Sequence, residues 1–361
     1  MRISKDSKPP VIADVARLAG VSVPTVSRVL TGNIPVSEGL RAKVEAAIKE
    51  LNYRPSSLAR ALKSGERTMI AIFAASTSAY GYANTLAGIE AVAQAAGYSV
   101  VISAVKSAEE SDVKAALEVA LQQQLAGIIV LDFDPSAAEV LKQLPSAIPT
   151  VAASGFPVGQ PGFPYAFIDE YAAGRAATEH LLELGHSTVH HLGLFPLTQF
   201  SGRYQGWHDA LTDAGITPPP VLEATRAARS GYEQGLRIAA DPGITAVFCS
   251  NDGLAVAALR ALYEKGIKVP DDVSIIGWDN QPFSEFTWPA LSTVAPDFND
   301  LGVRAFRMLE QRLSGVEAVA DSSVGPVLLQ RESTGAPTAG SRRYASGEQG
   351  NGANPRTSVR R

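Results

Sequence analysis

The chain has 361 residues, 45% apolar and 19% charged, with a formal net charge of −4 and a single cysteine, Cys249. That length exceeds one ordinary core and calls for a small domain beside a larger, divided one. No apolar run is long enough to span a bilayer, Met1-Arg2-Ile3-Ser4-Lys5-Asp6 opens without an apolar signal region, and one cysteine excludes an internal disulfide framework, so the expected setting is a reducing cytoplasm.

The modest net charge hides an asymmetry. Residues 1–67 hold 12 Lys/Arg against 6 Asp/Glu, residues 338–361 hold 5 Arg against 1 Glu, and the body between them is acidic. A basic head on an acidic body suits a head that meets phosphate while the body does not.

In chain order, residues 1–9 are polar and are expected to form an arm that is flexible or becomes ordered on binding. Ile12 to Ala19 carries a helical period and closes at Gly20. Ser22 follows as an N-cap, because its hydroxyl can accept from a free backbone N–H of the next helix. Val23 and Pro24 fall in that helix's first turn, where a missing N–H costs nothing. Along Val23 to Leu30, Val26, Val29 and Leu30 share one face, and Val23, Pro24, Ser27 and Arg28 share the other. A third helix from near Ser37 repeats Leu40, Val44, Ile48 and Leu51, and ends before Pro55. Three short helices with a glycine in the first turn make a helix-turn-helix module over residues 10–54, whose second helix suits a major groove. Ser56 to Leu62 reads as a short amphipathic helix, and the segment 55–67 as hinge and linker.

From Thr68 the pattern changes. Met69 to Ala74 is a continuous apolar run, followed by a helix from Thr85 to Ala96, a strand from Ser99 to Val105, a helix from Ser111 to Gln124, a strand from Gly127 to Leu131, a helix from Ala137 to Leu144 and a strand from Thr150 to Ala153. A Gly/Pro-rich passage, Ser154 to Pro164, interrupts the rhythm. It resumes with helices over Tyr171–Leu184, Tyr204–Ala214, Gly231–Ala240 and Leu254–Lys265, and strands over Val189–Leu194, Ala246–Cys249 and Val273–Gly277. Leu291 to Ala295 is a strand crossing back before a last helix, Phe298 to Leu313. Apolar strands alternating with helices mean parallel sheets covered on both faces. Two such halves, about 68–155 and 165–290, imply two lobes with a ligand cleft at the carboxyl ends of the strands. Residues 338–361 are Gly/Ser/Arg-rich, show no heptad and are expected to be disordered.

Ile12-Ala13-Asp14-Val15-Ala16, Gly20-Val21-Ser22, Thr25-Val26-Ser27-Arg28-Val29-Leu30, Leu51-Asn52-Tyr53-Arg54-Pro55 and Ala59-Arg60-Ala61-Leu62 resemble the lactose-repressor (LacI/GalR) family of bacterial regulators. Further matches lie at Leu181 to His186, Gly202 to Trp207, Ser250-Asn251-Asp252, Val269 to Asn280 and Pro289 to Val294, so the resemblance covers roughly residues 10–335. It implies an N-terminal all-α helix-turn-helix domain with a hinge helix, followed by an α/β two-lobed, periplasmic-binding-protein-like core over 68–337. The implied function is sequence-specific operator binding as a homodimer, most often as a repressor, controlled by a small ligand, expected to be a sugar or sugar derivative.

At the DNA, Arg28 is the candidate for bidentate readout of guanine. Val23 and Pro24 occupy the two positions that the family varies to change operator preference, and can offer only apolar contact. Ser22, Thr25 and Ser27 suit phosphate contacts, and Ile12 and Tyr53 complete the set. The family's hinge helix wedges a leucine into the minor groove, and Ala59 and Leu62 stand at the matching places; the alternative is that Leu58 and Leu62 pack on the core. In the cleft, Arg203 and Asp279 match the family's sugar-contacting arginine and aspartate. Asn251 is expected as a contact, Asp252 as partly structural, and Tyr80, Tyr82, Phe156, Phe200 and Trp278 as aromatic walls, although each aromatic alone also reads as core. Trp207 reads as core. Ser154 stands where the family often has an acidic residue and Ala75 where it often has a serine.

Enzyme signals are poor: no phosphate-cradling glycine motif and no Gly-x-Ser-x-Gly elbow occur. His190 and His191, adjacent on a strand, would face opposite ways and cannot share a metal, while His180, His186 and His208 read as surface or satisfied residues. No cofactor, catalytic residue or metal is therefore expected, and no membrane partner.

Overall fold

Three helices, α1 (Ile12–Ala19), α2 (Val23–Thr31) and α3 (Glu38–Glu50), enclose one small apolar core in the N-terminal unit. Val15, Ala16, Ala19, Val26, Val29, Val44 and Ala47 are its buried members. Gly20 ends α1 in the left-handed region (φ 65°), and the Thr25 amide donates to the Ser22 hydroxyl at 3.3 Å, so the turn between α1 and α2 is built as the sequence suggests. Leu40, predicted as part of the buried stripe, is instead 38% exposed; Val44 and Ala47 carry that contact.

In the computed structural model, chain contacts divide the protein at Thr68/Met69. The structure describes residues 10–31, 34–54, 67–155, 163–195, 201–316 and 321–338. The predicted arm (1–9), the hinge with Ala59 and Leu62, the candidates Phe156 and Phe200, and residues 339–361 lie outside the described residues.

The second unit holds two six-stranded sheets. The first runs β11-β5-β4-β3-β1-β2 and is parallel throughout, with β1 at Met69–Ala74, β2 at Ser99–Ala104, β3 at Leu125–Asp132, β4 at Thr150–Ser154, β5 at Tyr165–Ile168 and β11 at Asp321–Val324. Alternate residues serve two cores, as a two-fold strand repeat requires. Ile70, Ile72, Ile129 and Leu131 pack with α4 (Tyr80–Ala95) and α11 (Phe298–Leu313), whereas Ala71, Phe73, Ile128 and Val130 pack with α5 (Glu110–Leu121) and α6 (Pro135–Gln143). Burial on both faces is why these strands read as continuous apolar runs.

The second sheet runs β12-β10-β9-β8-β6-β7 and is parallel except for β12. Its strands are β6 (His190–Leu194), β7 (Leu222–Ala224), β8 (Ala246–Cys249), β9 (Ser274–Trp278), β10 (Ser292–Ala295) and β12 (Val327–Leu329). The helices α7 (Glu170–Glu183) and α8 (Gly202–Asp213) contribute to one of its cores, α9 (Ala228–Ala240) and α10 (Asp252–Glu264) to the other.

The two lobes are not consecutive halves. The chain leaves the first lobe between β5 and α7, returns between β10 and α11, and leaves again between β11 and β12. Strands β5, β7, β11 and β12 have only three or four residues each and were not legible in the sequence. Ser154, expected in an irregular passage, is the buried last residue of β4. Helix α4 begins five residues before its predicted start, where the Ser76 hydroxyl accepts from the Ala79 amide at 3.1 Å. Thr338, predicted to open the disordered tail, donates to the Asp271 carbonyl at 2.7 Å. Among the described residues no helix is long and apolar enough to cross a membrane.

Candidate functional site

On the N-terminal unit, α2 buries Val26 and Val29 and turns Val23, Pro24 and Arg28 outward, with Ser22 exposed just before it. Thr25 and Ser27 are half-buried, and the Thr25 hydroxyl lies 2.9 Å from that of Ser22. Ile12 and Tyr53, expected at DNA, are half-buried against the head's core, so their apolar bodies brace the helices.

In the second unit a cavity of about 630 Å³ opens between the carboxyl ends of the two sheets. Tyr80, Tyr82, Asp132 and Asp134 line it from the first lobe, and Arg203, Arg226, Asn251 and Asp279 from the second. Glu170 enters where the chain first changes lobe. Asp169 caps α7 by accepting from the Ala172 amide at 2.9 Å, which leaves Glu170 in the first turn, where the helix dipole favours a carboxylate.

Arg203, in the first turn of α8, is 17% exposed at its side chain and pairs with Glu170, 7% exposed, through an Nη2–Oε1 contact of 2.5 Å. Its Nη1 donates to the Ser250 carbonyl at 2.5 Å, and its guanidinium lies 4.4 Å from the Trp278 ring centroid. The buried Nε has no hydrogen-bond partner among the described residues. Helices α7 and α8 can bring these groups together because a Cβ at Gly206 would lie 2.2 Å from the Tyr171 carbonyl oxygen, and one at Gly174 would lie 2.6 Å from the Arg203 carbonyl oxygen. Only glycine allows that approach.

Asp279 follows β9 in a positive-φ conformation (108°), as does Asn280 (47°). The strained turn is pinned from three sides. Asp279 N donates to the Val294 carbonyl at 3.0 Å, Asn280 N to Thr293 Oγ1 at 3.3 Å, and Arg331 Nη2 to Asn280 Oδ1 at 2.7 Å. Burial pushes the Asp279 carboxyl up to about 8, against the pull of Arg203 and with added repulsion from Asp252 and Glu170. Burial, with repulsion from Asp134, likewise raises Asp132 to about 6.

Several expected contacts take other roles. Trp278 is fully buried and is no wall of the cavity; it backs the Arg203 guanidinium instead. Asn251 lines the cavity, but its Oδ1 accepts from the Leu254 amide at 2.8 Å as the cap of α10. Asp252 is fully buried and accepts from Ser284 Oγ and Thr293 Oγ1, each at 2.6 Å, and from Gln281 N at 2.7 Å. Tyr82 donates its hydroxyl to Asp134 and is 3% exposed, and Tyr80 is half-buried at the rim. Trp207 is core, donating Nε1 to the Val189 carbonyl at 2.8 Å. Buried His191 packs on it, and burial lowers its imidazole to about 3, so the ring is neutral.

Sequence reading missed Glu170, Asp132, Asp134 and Arg226. Asp132 and Asp134 directly follow a predicted strand, a position that could have pointed to them. Glu170 and Arg226 follow β5 and β7, strands too short to recognise. Among the described residues no three His, Cys, Asp or Glu side chains are grouped to hold a metal ion.

This arrangement has known counterparts. Residues 11–56 match the bacterial regulatory proteins of the lacI family, and residues 178–334 match a periplasmic binding protein-like domain. The lactose operon repressor of Escherichia coli (strain K12) is 35% identical over 340 residues, covering 91% of this chain and 92% of that protein. The chain belongs to the lacI family. Another lacI-family relative, the HTH-type transcriptional repressor PurR of Haemophilus influenzae (strain PittEE), is 33% identical over 334 residues, covering 89% of this chain and 98% of its own. The crystal structure of the lac repressor dimer bound to operator and the anti-inducer ONPF superposes with a TM-score of 0.82 at 30% identity, covering 91% of this chain and all of that one. As a lacI-family protein the chain is a DNA-binding transcription regulator.

Proposed function

We propose that the protein is a cytoplasmic repressor that binds a pseudo-palindromic operator as a homodimer and is released or engaged by a small polyhydroxylated ligand held between its lobes. The observation that carries this is the cleft itself: Arg203, Glu170 and Asp279 of one lobe's rim face Tyr80 and Asp132 of the other across a cavity of about 630 Å³. A ligand with many hydroxyls needs such paired donors and acceptors in a desolvated site, with ring faces beside them. It regulates only through its affinity difference between lobe arrangements, and the three chain crossings are where that difference is expressed.

One helix-turn-helix per chain reads one half-site, so two half-sites call for two chains. A dimer is supported by exposed aromatic side chains within one short segment, Phe283 (42%), Phe286 (79%) and Trp288 (89%). On this reading Arg28 contacts a base, Val23 and Pro24 make apolar contacts, and Ser22, Thr25 and Ser27 hold phosphates. Residues 55–67, with Ala59 and Leu62, take the family's hinge role.

The test is selection of bound fragments from the source genome by the purified chain. Recovery of an inverted repeat whose occupancy changes with one small molecule is the expected result. No preference for any duplex at low salt, with or without candidate ligands, refutes the proposal.

A further inference from the structure

The cation deepest in the cleft already has a counter-ion within the protein, with only its Nε left without a partner among the described residues. Each terminal nitrogen of Arg203 has a protein acceptor, Glu170 Oε1 and the Ser250 carbonyl oxygen, both at 2.5 Å, and its ring-facing side is covered by Trp278. The Glu170 carboxylate is wedged against the end of β4, where a Cβ at Gly155 would lie 2.6 Å from its Oε1 and 3.2 Å from its Oε2. A ligand's anionic group therefore meets a carboxylate already held beside the guanidinium.

The remaining walls are acidic. Asp132 from the first lobe and Asp279 from the second line the same cavity, and among the described residues neither has a basic group within ion-pair distance. Asp279 accepts only a long 3.5 Å bond from Gln281, and Asp134 is occupied by Tyr82 and Ser136. Arg226, at the exposed rim, is the other cation. Half-buried carboxyl groups with at most one long donor bond favour a ligand that brings hydrogen-bonding groups to them.

We propose that Glu170 is a built-in counter-ion that sets the charge of the effector: the cleft takes uncharged or amine-bearing polyhydroxylated molecules and rejects phosphate esters and carboxylates. This rests on the cleft being the effector site. It is independent of whether the head binds DNA.

Inorganic sulfate is the probe, compared with sodium chloride at matched ionic strength, in thermal melts of the full chain and of Glu170→Gln. The general stabilising effect of sulfate acts on both chains and cancels in the comparison. Removing the internal carboxylate should let Arg203 take the anion. At about ten times its dissociation constant, sulfate should then raise the Tm of Glu170→Gln by about 2–4 °C more than that of the parent. The double variant Glu170→Gln/Arg203→Gln should lose that extra shift. Equal shifts in parent and single variant overturn the proposal, as does a shift that survives in the double variant. If Glu170→Gln does not fold, Glu170→Ala takes its place. The parent chain is also titrated with neutral sugars and their phosphate esters. An ester that protects better than its own parent sugar sinks the idea, while tenfold or greater preference for the parent sugar supports it.

Discussion

Gly206→Ala places a methyl carbon 2.2 Å from the Tyr171 carbonyl oxygen and 2.7 Å from the Arg175 nitrogen. Both atoms are α7 backbone, so neither can rotate aside, and α8 must retreat by roughly 1 Å to restore ordinary contact. Arg203 lies three residues back on the same helix. The retreat stretches its 2.5 Å bond to Glu170 toward the limit of useful hydrogen bonding. Overpacking of this kind costs about 1–3 kcal/mol. The loosened buried pair adds to that, because neither charge can return to water. Urea unfolding followed by tryptophan fluorescence is a suitable assay, since Trp207 and Trp278 are both buried in the second lobe's core. The expected result is a lower midpoint at unchanged slope and a Tm loss of about 2–4 °C per kcal/mol. Gly325→Ala is the control, because it lies in the same unit and nothing lies within 4 Å of its added carbon; it should be neutral or stabilise by about 0.4–1 kcal/mol. An unchanged midpoint for Gly206→Ala would refute the claim that helix proximity holds Arg203 on Glu170.

Three further outcomes are expected. Arg28→Ala should weaken specific operator binding by about 1–3 kcal/mol while largely sparing random duplex; equal loss on both, in a salt-controlled titration, removes its base-reading role. Asp252→Ala strands three buried donors, on Ser284, Thr293 and Gln281, and should cost about 3–5 kcal/mol in urea unfolding, with Asp252→Asn intermediate. A loss below about 1 kcal/mol would show the network to be dispensable. The raised carboxyls of Asp279 (about 8) and Asp132 (about 6) hold protons more tightly folded than unfolded. Their stabilising contribution is full below about pH 4 and is lost as pH rises through 6 and then 8. Urea midpoints measured from pH 5 to 8 should fall with pH less steeply in Asp279→Asn than in the parent, and identical slopes would contradict the burial of this group.

Much of the architecture was visible in the chain because it is written in local periods. The three head helices, the exposed side of α2 and the apolar strands β1, β3 and β8 follow from residues within one or two turns of each other. The cleft was legible in outline, since Arg203 and Asp279 sit in motifs that stand out as sequence. Trp278 went wrong for a physical reason: a strand residue's face depends on which helices cover the sheet, and α7 and α8 cover its side.

What the sequence by itself determined is therefore the helix-turn-helix head, the alternating α/β body, and the family those motifs indicate. Only the tertiary structure decided that the lobes interleave through three crossings, that Arg203 pairs with Glu170 while Asp279 has no ion pair among the described residues, and that Asp252 holds the turn behind it. Those outcomes depend on groups tens of residues apart meeting in a desolvated place. Their energies come from burial and pairing across the fold, which no local pattern along the chain encodes.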